Sequence, residues 1–235
     1  QTKAVLVSLE GRVLAEAAAE FPQVYPRPGW VEHDPERIWA SVRQAVLEVS
    51  RRARCDRSRI LAVGITNQRE TTLVWDSRSG RSLGNAIVWQ DRRTSPQCAE
   101  LKARGLERRV REITGLVIDP YFSATKLSWI LSHDPAARKA ASAGTLRFGT
   151  VDSYLLFRLS GGKVHATDVS NASRTLLLNL KACRWDSRML DLFEVPASVL
   201  PEVLASDQVF GETRGLDFLP DGIPIAGMMG DQQAA

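Results

Sequence analysis

Cysteine and histidine are scarce in this sequence, with three residues of each among 235. Cys55, Cys98 and Cys183 lie far apart and include no Cys-x-x-Cys pair, so we expect reduced, structural thiols. The histidines have no metal-ligand spacing among themselves or with the cysteines. The sequence therefore predicts no zinc site.

Long apolar segments are absent as well. No stretch approaches the roughly 20 apolar residues that span a bilayer, and neither end carries a short hydrophobic signal segment. With 44% hydrophobic and 25% charged residues, the chain has ample apolar material for a core. This composition excludes disordered and fibrous proteins and favours a soluble, cytoplasmic one without a membrane span.

An excess of one charge is also missing, because the net charge is only +4. The densest basic run, residues 51–59, lies where a helix is expected to end, and cations interact favourably with a helix C-terminus. We therefore expect a solvated helix end and no nucleic-acid partner, with phosphate binding by this run as the alternative.

Strand-like and helix-like apolar patterns alternate along the chain. A helix is expected from residue 35 to about 53, with Asp34 as its N-cap and Pro35 at its first position. The nearly continuous apolar run Ile60–Thr66 predicts a strand covered on both faces, at the centre of a sheet. This order predicts one α/β domain with a mixed β-sheet flanked by helices. The other expected elements are strands at 3–9, 12–21, 71–75, 83–89, 146–149 and 223–229, and helices at roughly 94–113, 123–142 and 150–159.

A run of polar residues, Thr66–Thr72, directly follows the strand expected at Ile60–Thr66. The Arg69 guanidinium supplies only hydrogen-bond donors, and the Glu70 carboxylate only acceptors. Together they suit a polyol, whose hydroxyls both donate and accept. The alternative is a hairpin loop with a structural Arg–Glu pair.

Trp89 follows the apolar strand expected at 83–89 and begins the segment Trp-Gln-Asp-Arg-Arg. An indole offers a flat apolar wall against the C–H face of a polyol, and neighbouring polar groups can fix its hydroxyls. The alternative is an ordinary core tryptophan.

The last apolar strand ends in Gly230 and Asp231. Glycine allows a sharp turn and the close approach of a ligand, and an Asp there is placed to orient a substrate hydroxyl and accept its proton during phosphoryl transfer. The alternative is a helix N-cap.

Seven segments in order across the chain form a recognisable set: Gly29–Pro35, Asn67–Thr71, Trp89–Thr94, Asp119–Leu131, Phe148–Asp152, Thr167–Thr175 and Gly230–Ala235. Together they resemble the glycerol kinases of the FGGY carbohydrate-kinase family. Ser132 departs from the family's first signature pattern, which usually has a charged or amide residue at this place.

The resemblance implies an actin-like, ribonuclease-H-like fold and a kinase that uses ATP and Mg²⁺ to phosphorylate glycerol to glycerol 3-phosphate. Residues 1–235 correspond to the substrate-side, N-terminal domain of such an enzyme, and alone they are expected to be inactive. The family's first strand, its Asp-Gln-Gly-Thr-Thr phosphate turn and its C-terminal nucleotide-binding domain are expected to lie outside this chain, so the nucleotide-binding residues are not identified here.

The resemblance also implies roles for individual residues. Asp231 is the expected catalytic base, and it is the one residue of the chain expected to reach Mg²⁺, through water and without a direct metal cluster. Trp89 walls the carbon chain of glycerol, and Tyr121 donates a hydrogen bond. The implied substrate-binding set is Arg69, Glu70, Trp89, Tyr121, Asp231 and Gln232.

Several alternatives stay open within and beyond this family. The acceptor is glycerol or another polyol or ketose, although xylulose kinases typically have a Gly-Gln-Met-His loop where this chain has Asn67–Glu70. Inhibition by fructose 1,6-bisphosphate is not expected, because no Gly-Gly-Lys-Gly-Gly loop precedes Ile223. A non-catalytic polyol-binding relative and a homo-oligomer are further alternatives.

Overall fold

The structure, a computed structural model, describes every residue from Gln1 to Ala235. None of its helices combines the length and the apolar character needed to cross a membrane. The α-helices are α1 (Pro35–Arg52), α2 (Ser95–Ala103), α3 (Glu107–Thr114), α4 (Ser123–His133), α5 (Pro135–Ser142), α6 (Val151–Leu159), α7 (Val169–Ala172) and α8 (Ser187–Phe193).

The strands form small parallel and antiparallel groups, which is consistent with the predicted α/β class and mixed pairing. The strands are β1 (Thr2–Val7), β2 (Val13–Ala19), β3 (Glu32–His33), β4 (Val63–Asn67), β5 (Leu73–Asp76), β6 (Ala86–Ile87), β7 (Leu146–Gly149), β8 (Ala166–Asp168), β9 (Leu178–Asn179), β10 (Arg184–Trp185), β11 (Glu202–Leu204), β12 (Gly211–Glu212) and β13 (Pro224–Gly230). Antiparallel pairs are β1–β2, β3–β6, β5–β7, β9–β10 and β12–β13, and parallel pairs are β4–β13 and β8–β11.

The predicted first helix is confirmed. The Asp34 carboxylate caps α1 by accepting a 2.9 Å hydrogen bond from Glu36 N, and Pro35 occupies the first position. Arg51 and Arg52 lie in the last turn, where both pair with Glu48. The first basic residues of the run are thus engaged at the helix end.

Two of the longer predicted helices are each divided in the structure. Gly105, with φ of 72°, separates α2 from α3, because a left-handed residue cannot continue a right-handed helix. Pro135 begins α5, and Asp134 ends α4 and caps α5 by accepting a hydrogen bond from Ala136 N at 2.8 Å. The single helices expected over 94–113 and 123–142 were therefore wrong.

The prediction that residues 60–66 form a central strand covered on both faces was also wrong. β4 begins only at Val63 and is an edge strand of the three-stranded sheet β12–β13–β4. Gly64 and Thr66 are exposed, whereas Ile65 and Asn67 are buried, so the strand alternates between faces. The continuous apolar run misled because Leu61 and Ala62 are exposed ahead of the strand and Gly64 has no side chain to bury.

The apolar interior consists of two large clusters and a small third one. One large cluster lies among β5, β7 and the helices α2, α3, α4, α5 and α8, and the other among α1, α6, β4 and β13. β4 contributes to the second large cluster, whereas β5 contributes Val74 to the first and Leu73 and Trp75 to the third. The loop that joins these two strands, residues 68–72, therefore connects separate parts of the interior.

A buried polar cluster around Asp152 in α6 contacts the end of β4. The Asp152 carboxylate accepts hydrogen bonds from Thr150 Oγ1, from Thr167 Oγ1 at 2.6 Å and from Asn67 Nδ2 at 3.4 Å. Asn67 also exchanges side-chain hydrogen bonds with Asn171 at 2.9 and 3.1 Å. This network fixes the last residue of β4, from which the 68–72 loop departs.

Replacing Asp152 by Ala is expected to lower the free energy of unfolding by about 3 kcal/mol, because buried donors lose their acceptor. Burial raises the pKa of Asp152 to about 6, above its unfolded value. The folded wild type therefore gains stability by proton uptake as pH falls through about 6, and the variant lacks that gain. Urea denaturation at pH 7 and pH 5 is expected to show a larger loss at pH 5.

The matched control is Asp207→Ala, since Asp207 is exposed and makes no side-chain hydrogen bond. Its effect is expected to stay within about 0.5 kcal/mol at both pH values. A loss for Asp152→Ala that does not grow between pH 7 and pH 5 would contradict the assigned pKa.

Candidate functional site

The ends of β4 and β13 lie side by side, which brings two of the predicted strand-end loops together. The parallel register pairs Gly230 with Asn67, and Asp231 N donates to Asn67 O at 3.0 Å. Asp231 therefore stands beside the loop that carries Arg69 and Glu70. Parallel strands place their carboxyl ends at one edge of a sheet, and this edge is where such folds bind ligands.

Arg69 lies across the end of β13. Its side chain is only 5% exposed, its Nε is 3.2 Å from Asp231 Oδ1, and its Nη1 donates to Gln233 Oε1 at 3.3 Å. The buried Nε makes no hydrogen bond of good geometry within the protein. A Cβ added to Gly230 would collide with Arg69 Cδ and lie 2.7 Å from its Cγ, so the glycine makes room for this arginine.

The backbone turns sharply at Glu70, which has φ of 59°. Thr71 N donates to Arg69 O at 2.6 Å and closes a three-residue turn. The Glu70 carbonyl accepts hydrogen bonds from Thr72 Oγ1 at 3.1 Å and Ser123 Oγ at 3.2 Å. A non-glycine residue held in this region of φ is strained, and such strain concentrates at functional sites.

The Glu70 side chain is almost fully buried. Its Oε1 accepts a 2.7 Å hydrogen bond from Arg174 Nε. Burial raises the pKa of Glu70, and the hydrogen bond and charge of Arg174 oppose that rise, with smaller contributions from Arg69 and Lys126. Arg69 and Glu70 therefore do not pair with each other, because Arg69 pairs with Asp231 and Glu70 with Arg174.

Trp89 and Tyr121 form an aromatic pair, with ring centroids 5.5 Å apart and a tilt of 57°. Trp89 follows buried Val88 and is itself 36% exposed, which is unlike a core tryptophan. Its loop is anchored by Asp91, whose carboxylate accepts from Val31 N at 2.7 Å and pairs with buried Arg93 at 2.8 Å. Asp91 thus fixes the loop while the indole stays accessible.

Tyr121 is half-buried, and its pKa is raised by burial and by the nearby charge of Glu70. Its backbone is held by a residue that sequence reasoning did not single out. Lys126 is fully buried, and its Nζ donates to Tyr121 O at 2.5 Å and to Phe122 O at 3.0 Å. Burial lowers the pKa of Lys126 to about 7. Its sequence signal was a single lysine between apolar positions of a helix.

Asp231 is the exposed member of the site, with 53% of its side chain accessible. Its Oδ1 accepts a 2.8 Å hydrogen bond from Gln232 N. The Gln232 side chain makes no hydrogen bond to the other predicted site residues, so the structure leaves Gln232 adjacent in sequence only. Arg69 and Asp231 lie 3.2 Å apart, and Glu70 and Tyr121 both lie beside Arg174, so these four predicted site residues are brought together.

The site therefore combines an aromatic wall, one buried carboxylate, one buried guanidinium and one accessible carboxylate. No group of three or more His, Cys, Asp or Glu side chains is arranged to hold a metal ion. Such an arrangement can donate to and accept from several hydroxyls and leaves the Asp231 carboxylate accessible to a hydroxyl proton.

Curated relatives match the whole chain. It is 53% identical over 234 residues to "Glycerol kinase" of Symbiobacterium thermophilum and 54% identical over 234 residues to "Glycerol kinase" of Leptothrix cholodnii. Both alignments cover 100% of this chain and 47% of the relative. The chain thus spans about half the length of the curated relatives that it matches.

Solved structures are similar over almost the whole chain. The crystal structure of Plasmodium falciparum glycerol kinase with ADP has a TM-score of 0.93 at 33% identity and is matched over 99% of this chain and 46% of its own. The xylulose kinase from Rhodospirillum rubrum has a TM-score of 0.87 at 26% identity, over 99% of this chain and 47% of its own.

These neighbours are sugar kinases with the actin-like, ribonuclease-H-like fold, which confirms the expected fold. The model for the N-terminal domain of the FGGY family of carbohydrate kinases matches residues 1–235. The chain belongs to the FGGY family of carbohydrate kinases.

Proposed function

We propose that this chain is the substrate-side domain of a longer kinase that transfers the γ-phosphoryl group of ATP to a terminal hydroxyl of glycerol. The observation that carries the proposal is the meeting of Arg69, Glu70 and Asp231 at the paired ends of β4 and β13, beside an accessible aromatic wall. The relatives called glycerol kinase are identical to this chain at about half of the aligned positions, and they support glycerol as the acceptor.

Each of the site residues has a separate task in this proposal. Arg69 donates to hydroxyl oxygens, and Glu70 accepts from hydroxyl protons. Trp89 and Tyr121 flank the carbon chain, and Tyr121 adds a hydrogen bond. Gln232 keeps its proposed place at the polyol as a neighbour of Asp231, because the loop that carries it begins at the end of β13.

Asp231 is the proposed catalytic base. Its carboxylate orients the terminal hydroxyl and accepts the hydroxyl proton as the oxygen forms a bond to the γ-phosphorus. The bond between that phosphorus and the bridging oxygen breaks, and ADP leaves. Such transfers depend mainly on positioning and charge stabilisation, which suits a site built from fixed loops and one accessible carboxylate.

Mg²⁺ fits these residues only as an ion held mainly by phosphates. Mg²⁺ usually keeps several waters and binds one or two carboxylates together with substrate phosphates. This chain offers the accessible Asp231 and no cluster of metal ligands. When bound, the ion would neutralise the charge that develops on the phosphates.

Acceptor specificity of the full-length protein tests the proposal. ADP release is measured with ATP and Mg²⁺ against glycerol, xylulose, erythritol and xylitol. We expect kcat/KM for glycerol to exceed the others by about a hundredfold or more, because a site that pairs the hydroxyls of glycerol leaves the additional polar groups of the longer acceptors without partners. Preference for xylulose would indicate the ketose alternative. Polyol binding by calorimetry without ADP release would indicate the non-catalytic relative.

A further inference from the structure

Arg174 contacts the proposed site from a segment to which the sequence assigns no role. It follows α7, 104 residues beyond Glu70, and its Nε donates to Glu70 Oε1 at 2.7 Å. The Arg174 side chain is 25% exposed, whereas that of Glu70 is 2% exposed. The guanidinium therefore stands between a buried carboxylate and the solvent.

The same guanidinium packs against the aromatic side of the site. Its Cζ lies 4.9 Å from the ring centroid of Phe122 and 5.9 Å from that of Tyr121. Tyr121 in turn pairs with Trp89. The Arg174 side chain thus contacts both the Glu70 carboxylate and the Tyr121 ring.

The other charged groups that face Glu70 are Arg69 and Lys126, with Tyr121 as the remaining titratable neighbour. Arg69 is engaged with Asp231 and with Gln233. Lys126 Nζ donates to two backbone carbonyls rather than to Glu70, and burial lowers its pKa to about 7. Only Arg174 joins a full charge to a direct hydrogen bond with the Glu70 carboxylate.

We propose that Arg174 is a positioning residue, which holds Glu70 ionised and oriented as the hydroxyl acceptor and fixes the ring of Tyr121 beside it. The inference rests on the proposed polyol site. It adds that recognition of the polyol depends on Arg174, which acts on the polyol only through Glu70 and Tyr121.

The kinetic test compares Arg174→Gln and Arg174→Lys with the wild type in the full-length protein. In Arg174→Gln, burial raises the pKa of Glu70 without the opposing charge of Arg174. Glu70 is then protonated at a higher pH, and the protonated carboxyl no longer serves as the acceptor for the polyol hydroxyls. We expect the acid limb of the kcat/KM profile for glycerol to move upward by about one pH unit or more in Arg174→Gln. At pH 7.5, KM is expected to rise about tenfold or more, with a smaller change in kcat, since ground-state binding is lost.

Arg174→Lys keeps a positive charge and is expected to keep the acid limb near the wild-type position while KM still rises, since a lysine does not reproduce the fork of a guanidinium. Arg108→Gln is the matched control, because Arg108 lies on α3, is 90% exposed and pairs only with Glu112. It should leave both kinetic constants unchanged.

A second measurement does not depend on activity. Removing Arg174 leaves the buried carboxylate of Glu70 unpaired above its pKa, and protonation relieves this cost. The difference in melting temperature between wild type and Arg174→Gln should therefore shrink as pH falls from 8 to 5. A pH-independent difference, together with an unmoved acid limb, would show a merely structural arginine and overturn the inference.

The two proposals fail differently. A wild type that binds no polyol or prefers another acceptor contradicts the proposed function, and the melting comparison still decides the role of Arg174. A wild type that phosphorylates glycerol, with Arg174→Gln unchanged in KM, pH profile and pH-dependent melting, contradicts the inference alone.

Discussion

Replacing Asp231 by Asn in the full-length protein is expected to lower kcat for glycerol by about a hundredfold to ten-thousandfold. The amide keeps the size of the side chain but cannot accept the hydroxyl proton in the transition state. Asp231 is 53% exposed, and its carboxylate meets only Arg69 Nε and Gln232 N, so the variant should fold normally. KM for glycerol should change far less than kcat, because Arg69, Glu70 and the aromatic wall remain.

Asp191→Asn is the matched control for this change. Asp191 lies on α8, is exposed and makes neither a side-chain hydrogen bond nor an ion pair. Turnover by Asp191→Asn should equal that of the wild type in steady-state assays of ADP release. Turnover by Asp231→Asn within a few-fold of wild type would contradict the assignment of the base, whatever the acceptor.

The strand-end loops were predictable because the rule behind them is local. An apolar strand followed by consecutive polar residues identifies a loop that leaves a sheet edge, and parallel pairing of β4 with β13 then brings Glu70 and Asp231 to one edge. The Trp89 loop was identified in the same way. Its accessible indole fits the predicted wall better than the core alternative.

The supporting contacts could not be predicted, because they join distant segments through single hydrogen bonds. Arg174 reaches Glu70 across 104 residues, and nothing in either segment names the other as its partner. Lys126 lies on α4, which exposes few residues. The sequence of this helix therefore has no clear polar face, and its pattern does not show that Lys126 is buried. Sequence patterns therefore indicated the residues that we propose to face a ligand and missed those that hold them in place.

The errors in the fold have a similar origin. The apolar run at residues 60–66 includes Leu61, which is 64% exposed, and Gly64, which buries no side chain, so an edge strand resembled a central one. The helices expected over 94–113 and 123–142 were each interrupted by one residue, Gly105 or Pro135. In both cases the helical pattern extends over many residues, but a single residue interrupts the helix.

Replacing Gly230 by Ala is expected to lower kcat/KM for glycerol by about a hundredfold, since a shift of about 1 Å at a substrate-positioning group costs that much. The new methyl would lie 2.7 Å from Arg69 Cγ and closer still to Cδ. Arg69 is only 5% exposed, so its side chain has little room to yield. We therefore expect the guanidinium to shift, which changes its position relative to Asp231 and to the proposed polyol.

Gly227→Ala is a control in the same strand, because a Cβ there meets nothing closer than Ser206 O at 3.6 Å. It should retain near wild-type kinetics, and both variants should unfold within a few degrees of wild type. If the effect of Gly230→Ala acts through Arg69, it should largely disappear in an Arg69→Ala background, as a double-mutant cycle would measure. Equal kinetics for the two alanine variants, or full additivity with Arg69→Ala, would show that the approach of Arg69 to Gly230 does not position the acceptor.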